Sequence, residues 1–521
     1  MGRYLNQGNE YFQKSVNSEI YIDKTGLIEY TNRVMNTQQG YVCVSRPRRF
    51  GKSMAANMLT AYYSRGCDSE ELFSKYTISK SKDYSKYRNK YNTISLNMQE
   101  FLSRSKSVEE LIERVKKLVL REIKKEYPNV DYYDDNDLAE SLQDVYEEVK
   151  CPFVVIIDEW DCIFREFKQD KEAQEQYLDF LRDLLKDKAC IHLAYMTGIL
   201  PIKKYGTHSA LNMFDEFSMI SPGPMASYVG FTESEVEELC DRYNMEIEEV
   251  KAWYDGYCFS ADLSIYSPRS VVNSMLFGKI ENYWNQTETF EALQSYIDMN
   301  FEGLKDDVLS MIAGENIPVN TGSFTNDMTT FRTEDDVLTL LIHLGYLAYN
   351  SDNKTVKIPN NEVRNEYVNS VAASDWGEVS RALKESADVL QAIWQKREEQ
   401  VAEGIRRAHF ETSHIQYNDA LSYTVSLALY AARNFYTVHR EMAGGKGFAD
   451  IVFIPRKKFS DKPALVVELK WDKEAKGAIE QIKKKEYCRS LEEYRGNILL
   501  VGVNYNKKTK VHECMIEEYK K

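Results

Sequence analysis

"SRPRRFGKSM", residues 45–54, ends as a phosphate-binding loop ends, with Gly51, Lys52 and Ser53 in a row. Its front half departs from that pattern, because Arg46 stands where the usual spacing has a glycine. Such a loop works when backbone N–H groups and a helix N-terminus converge on negative oxygens. The flanks are right for it: the apolar run YVCVS (41–45) leads in and MAANMLTAYYS leads out as a helix. Gly51 then gives the backbone room, Lys52 reaches the β and γ phosphates, and Ser53 ligates Mg²⁺. Pro47 shapes the turn in place of the missing glycine. The nucleotide-contacting candidates are Arg46, Pro47, Arg48, Arg49, Phe50, Gly51, Lys52, Ser53 and Met54. Arg48 and Arg49 either stabilise phosphate charge or face solvent. The competing reading of the whole stretch is a basic surface turn ahead of a helix.

A second segment decides between the two. FVVIIDEWD (153–161) is a continuous apolar run ending in acid, as expected of a strand covered on both faces. It puts Asp158 and Glu159 at the sheet edge, Asp158 to serve the metal and Glu159 as base or water-positioning group. Thr197, after the run IHLAYM (191–196), sits where a polar sensor of the γ-phosphate lies, although a turn or helix start reads equally well. ATP and Mg²⁺ are the expected cofactors.

Strands expected at 41–45, 93–97, 153–157, 191–196 and 216–221 alternate with helical periodicity, which predicts a parallel sheet wound with helices. TESEVEELCDRY and EIEEVKAWYDGY read as a helical subdomain. Residues 335–368 give helix, two short strands about Ser351–Lys354, and helix, the pattern of a winged helix. Helices then dominate until strands at 448–454, 464–469 and 497–503.

The last region holds a second acidic set. GGKGFADIVFIP carries Asp450, and ALVVELKWDK carries Glu468 and Lys470, which alternation puts on one face of a strand. Carboxylates at Asp450 and Glu468 bind Mg²⁺, and Lys470 orients water or stabilises developing charge, as a metal-dependent phosphodiesterase requires. A strand-end salt bridge is the plain alternative. Glu441 is a further acidic candidate. Gly444, Gly445 and Gly447 either admit a phosphate chain or form a turn. Lys483, Lys484 and Lys485 either track a nucleic-acid backbone or form a solvated helix face.

The segments YIDKTG (21–26), SRPRRFGKSM, VVIIDEWD, TGILPIKK (197–204), SALNMF and WYDGYCF (253–259) together resemble the bacterial AAA-ATPase-like family fused to a PD-(D/E)XK nuclease domain. The resemblance implies that the Arg-Pro-Arg-Arg-Phe start is a family form of the loop. It implies a lid over 225–285 and a nucleotide base lined by Pro268, within IYSPRS where the family tends to have Asn-Pro. In the nuclease domain it implies that Gln481 and Tyr487 face the same end as Glu468. Asp419 stands where the family usually has a metal-assisting glutamate, one methylene longer.

The expected fold is therefore α/β and multidomain. A P-loop ASCE/AAA-type core spans 1–224, a helical lid 225–290, a winged-helix-like segment 291–374 and a PD-(D/E)XK nuclease-like domain 375–521. The expected function is ATP binding or hydrolysis coupled to Mg²⁺-dependent cleavage of nucleic acid, DNA above RNA. The alternative is an ATP-switched binding protein whose nuclease fold does not cut. A homo-oligomer is an open expectation. The chain has 521 residues and a formal net charge of −14, which argues against non-specific coating of nucleic acid but leaves room for a local basic groove. Nine scattered cysteines without a CxxC pair, and a polar first stretch without an apolar middle, predict a cytoplasmic protein with no membrane span.

Overall fold

The computed structural model describes residues 2–202, 211–260, 263–284, 290–299, 301–325, 328–329, 331–373, 377–412, 420–444, 446–494 and 496–519. Asp419 and Gly445, the end of TGILPIKK and the start of SALNMF lie outside the described residues. The chain forms two compact units, one of Met1–Glu288 with Asn316–Arg364 and one of Thr289–Glu315 with Asn365–Lys521. The stretch 291–374 is thus shared between the two. Among the described residues, no helix is long and apolar enough to cross a membrane.

The first unit is built on β1 (Tyr41–Ser45), β2 (Asn92–Asn97), β3 (Phe153–Asp158), β4 (Ile191–Gly198) and β5 (Asp215–Phe217). They pair in the order β2-β3-β4-β1-β5, all parallel. Every residue of β3 is buried, as its unbroken apolar run requires. The strand expected over 216–221 is shorter: β5 stops at Phe217, where Ser218 and Ser221 close a turn and Pro222–Gly223 prevents extension. The carboxyl ends of β1, β3 and β4 lie side by side, which is where open α/β sheets bind ligands.

The lid follows. Helices Glu233–Tyr243, Ile247–Tyr254 and Pro268–Phe277 accompany a small sheet of β6 (Phe231–Thr232), β7 (Tyr257–Ser260) and β8 (Leu263–Tyr266). Thr232 and Glu235 form a reciprocal capping box at the first helix. The lid core, with Val236, Leu239, Val250, Tyr254 and Val271, also takes in Ile20 from the N-terminal segment. In the same unit, helix Glu334–Leu344 lies in the chain between β9 (Ile317–Pro318) and the hairpin of β10 (Ala348–Asn350) and β11 (Thr355–Lys357), and the three strands form one antiparallel sheet.

The second unit centres on β12 (Tyr436–Gly444), β13 (Gly447–Pro455), β14 (Ala464–Trp471), β15 (Ile498–Asn506) and β16 (Val511–Glu518), paired in that order. Only the β14–β15 contact among these is parallel. Val467 and Val466 point to opposite faces and both are buried. The face of Val467 packs on Leu390, Ile393, Val401, Leu421 and Val425 of three helices. The face of Val466 packs on Ile479 and Ile482 of helix Ala475–Lys485. The sequence reading expects only three strands here. It passes over β12 and β16, whose charged residues, such as Arg440 and Glu513, break up the apolar signal on edge strands.

Gly502 of β15 lets helix Ala475–Lys485 sit on the sheet, because a Cβ there would lie 2.5 Å from the Ala475 carbonyl oxygen. Gly502→Ala is expected to push this helix outward and to cost about 1–3 kcal/mol. The lowered melting temperature of the second unit, followed by calorimetry on the full chain, checks this. A wild-type transition would contradict the close packing.

Candidate functional site

The nucleotide loop joins β1 to helix Lys52–Tyr63. Gly51 caps that helix with φ of 95°, a left-handed conformation that costs glycine nothing. Arg49 is left-handed too, at φ of 64°. The loop borders a cavity of about 950 Å³ shared with the acidic turn after β3, the N-terminal segment and the lid. Lys52 is buried, and its ammonium donates to the carbonyls of Arg46 at 3.0 Å and Pro47 at 2.8 Å. Burial lowers its pKa, an effect countered by Glu159, Asp161 and Asp158.

The residues placed at the loop by sequence do not all reach the cavity. Arg48, Arg49, Phe50, Gly51, Lys52, Ser53 and Met54 line it, as does Pro268, the first residue of its helix. Arg46 and Pro47 do not. Arg46 has no exposed surface and turns its guanidinium to the carbonyls of Ser45 at 2.9 Å, Phe217 at 3.1 Å and Met225 at 3.4 Å. The expectation that it contacts nucleotide is corrected accordingly: the charge is used up inside the fold. Pro47 packs instead toward Gly345, where a Cβ would come within 2.7 Å of the proline ring.

At the end of β3, Asp158 is buried and accepts from Asn97 at 3.3 Å and from Ser53. Burial raises its pKa to about 6, with the Ser53 hydroxyl and Lys52 pulling the other way. Glu159 has a left-handed backbone at φ of 56°, a strained setting for a non-glycine residue. Its carboxylate lines the cavity and pairs with Arg165. Thr197 lies next to Asp158 in register, fully buried, and its hydroxyl has no hydrogen-bond partner. It does not line the cavity.

Sequence reasoning missed three residues here. Asp161 is fully buried, accepts from the backbone N–H of Ile199 at 3.0 Å and Leu200 at 2.8 Å, and meets Arg165 at 3.3 Å. It ties the acidic turn to the end of β4. Its signal was the third acid of DEWD, which an apolar neighbour makes unusual. Arg269 lines the cavity beside Pro268 and, with Arg48, lowers the pKa of Arg49, whose burial is the first cause. Asn97 lines the cavity and closes β2.

In the second unit, the β13–β14 register carries on from Ile451↔Val467 to bring Asp450 opposite Glu468. Asp450 accepts from the backbone N–H of Leu469 at 2.7 Å. Lys470 donates to Glu468 at 2.9 Å and to Gln481 at 2.7 Å. Gln481, on helix Ala475–Lys485, also donates to Glu468, and to Tyr487 at 3.3 Å. Burial raises the pKa of Glu468, with Lys470 opposing. Its second oxygen, Oε2, is buried with no hydrogen-bond partner among the described residues. An orphaned carboxylate oxygen opposite another carboxylate suits a divalent cation, which takes hard oxygen donors. Among the described residues no group of three or more His, Cys, Asp or Glu is arranged to hold a metal.

Glu441, at φ of 48°, lies between Arg440 and Met442, which pair with Ile451 and Ala449. Gly444 and Gly447 pair at the tip of the β12–β13 hairpin, and Gly447 approaches Tyr487. Lys483 pairs with Glu517, while Lys484 and Lys485 are exposed. Phe448, two residues before Asp450 on the same strand face, is 63% exposed and was passed over in the sequence as one more apolar residue.

Asp158 supplies a test of this electrostatic account. Its folded pKa is raised, so the folded state keeps a proton that the unfolded chain releases, and stability falls as pH rises from about 4 to about 6. Asp158→Asn is expected to raise the melting temperature of the nucleotide-free protein above pH 6 and to make no difference near pH 4. Melting curves across that range check it; equal gain at both ends would refute burial as the cause.

Residues 8–207 match a family model described as a predicted AAA-ATPase, and residues 421–514 match the PD-(D/E)XK nuclease superfamily. No curated protein matches the chain. Among solved structures it is similar to a Walker-type ATPase of Pyrococcus abyssi, at 15% identity over 66% of this chain and 94% of that one, with a TM-score of 0.35. It is similar to the ORC2 protein of Aeropyrum pernix in complexes with ADPNP and ADP, at 14% identity, 70% and 98% coverage and a TM-score of 0.29. A third is Cdc6p of Pyrobaculum aerophilum, at 10% identity, 71% and 98% coverage and a TM-score of 0.24. The matched family models name no organism, so the bacterial attribution in the sequence resemblance is withdrawn. The fusion itself stands: the chain is an enzyme that joins an AAA-ATPase-like domain to a nuclease-superfamily domain of the PD-(D/E)XK kind.

Proposed function

We propose that the chain binds and hydrolyses ATP at the 950 Å³ cavity and cleaves nucleic acid, DNA in the first instance, at the Asp450–Glu468 site. The observation that carries the cleavage reading is the buried, unpartnered Oε2 of Glu468 opposite Asp450, with Lys470 and Gln481 held around it. Mg²⁺ would be held by Asp450 and Glu468 there, and by Ser53 and Asp158 at the nucleotide site. When bound it supplies Lewis acidity and lowers the pKa of water.

The protein's own groups do the rest. Gln481 and Glu468 fix the Lys470 ammonium, so that it meets developing phosphate charge without reorganising. At the other site Arg48, Arg49 and Arg269 face one cavity, where burial and then Arg269 and Arg48 disfavour the charge of Arg49 until polyanionic phosphate enters. Lys52 exchanges the carbonyls of Arg46 and Pro47 for phosphate oxygens. Glu159 takes the proton of the attacking water once it leaves Arg165. The domain limits expected from the sequence are retained as a working division for truncations.

Lys52→Ala is expected to abolish ATP binding by calorimetry. Glu159→Gln should keep binding and lose hydrolysis by roughly 100-fold or more. Glu468→Ala and Asp450→Ala should remove Mg²⁺-dependent cleavage of DNA and leave ATPase activity intact. Lys470→Ala should retain metal binding and lose turnover. Nucleotide-dependent DNA binding by the wild type, without cleavage of DNA or RNA in Mg²⁺ or Mn²⁺, would sink the cleavage reading and favour an ATP-switched binding protein.

A further inference from the structure

A hollow of about 520 Å³ lies in the first unit, away from the nucleotide cavity, between residues 2–5 and helix Val108–Glu126. Arg3, Arg104, Arg114, Arg121 and Lys125 line it, against the two acids Glu122 and Glu126. Glu122 is already committed: its carboxylate accepts from the backbone N–H groups of Arg3 at 2.8 Å, Tyr4 at 2.8 Å and Leu5 at 2.9 Å. Arg3 and Arg104 share one carboxylate, Glu100. The hollow is therefore basic in a chain whose net charge is −14.

The pairing pattern of the helix separates this from an ordinary solvated face. Lys116 and Lys124, which do not line the hollow, pair with Glu113 and Asp135. Arg114, Arg121 and Lys125 do line it, at helical spacing on one stripe, and none makes an ion pair among the described residues. Residue 114 to residue 125 spans about 16 Å along the axis at about 1.5 Å per residue. One phosphate group cannot engage all three cations, whereas consecutive phosphates of a nucleic-acid strand can. The axis is also where a chain this acidic needs local positive potential to hold such a polymer.

We infer that this hollow is a phosphate-backbone docking site for nucleic acid on the ATPase unit, formed by Arg114, Arg121 and Lys125 with Arg3 and Arg104. It rests on the nucleic-acid reading proposed above and adds a binding surface that is independent of sequence, because only phosphates are read. None of its residues lines the nucleotide cavity.

The test is fluorescence anisotropy of the full chain with labelled duplex and single-stranded DNA, without divalent metal, over a series of salt concentrations. The variants are R114Q/R121Q/K125Q and the charge-reversed R114E/R121E/K125E. The expected result is weaker binding by about tenfold or more, with a salt slope reduced by about 2 to 3, the loss of three phosphate contacts. Both variants should hydrolyse ATP at the wild-type rate, which shows that they fold. If the wild type binds DNA and the variants match it in affinity and slope, the hollow is overturned and the cleavage reading stands. If the wild type neither binds nor cleaves DNA, both fall together. Charge-dependent binding to phosphatidylserine vesicles in place of DNA would also overturn the assignment.

Discussion

The buried guanidinium of Arg46 holds the nucleotide loop in place. Taking an arginine fully out of water costs several kcal/mol unless its donors are met. Here carbonyls at the end of β1, the end of β5 and the turn at Met225 accept from its two terminal nitrogens, its Nε has no partner among the described residues, and the ring of Phe259 lies 5.0 Å from its centre. Burial lowers its pKa to about 10, so it stays charged at neutral pH. One side chain thus joins the central sheet, its edge strand and the lid. The carbonyl of Arg46 in turn receives Lys52. A front half with arginine in the place of glycine keeps its shape because packing supplies what backbone freedom otherwise would.

The proposed sites hold both strain and unsatisfied polarity, as do other places in the fold. Glu159 is held in a left-handed conformation, Asp158 is buried with a raised pKa, the Thr197 hydroxyl has no partner, and Glu468 keeps one oxygen unpaired. Each costs folding energy. The surroundings offset part of it: Oδ2 of Asp161 accepts from two backbone N–H groups and meets Arg165 beside the strained turn, and Lys470 with Gln481 steadies the other oxygen of Glu468.

Much of the candidate nucleotide site was legible. Gly51-Lys52-Ser53 and Asp158-Glu159 are short, local motifs, and their place at strand ends follows from the apolar runs before them. Asp450, Glu468 and Lys470 were legible for the same reason, as period-2 alternation alone puts 468 and 470 on one face. Arg46 was not, because nothing local says whether a cation in a loop faces phosphate or a ring of carbonyls. Nor were β12 and β16, since edge strands carry charge on the face that water sees. Arg269 stood one residue from Pro268, but its direction depends on how its helix packs on the lid.

What the sequence determined by itself is therefore the elements and the chemistry at their ends: backbone periodicity and motif spacing are local, and a few residues suffice to specify them. Tertiary structure decided which of those groups meet. Asp450 faces Glu468 only through the register of two strands, and Gln481 reaches Lys470 only because Gly502 lets a helix close on the sheet. Arg114, Arg121 and Lys125 become one surface only when residues 2–5 fold beside their helix. Such meetings depend on contacts between residues far apart in the chain, and no local preference encodes them.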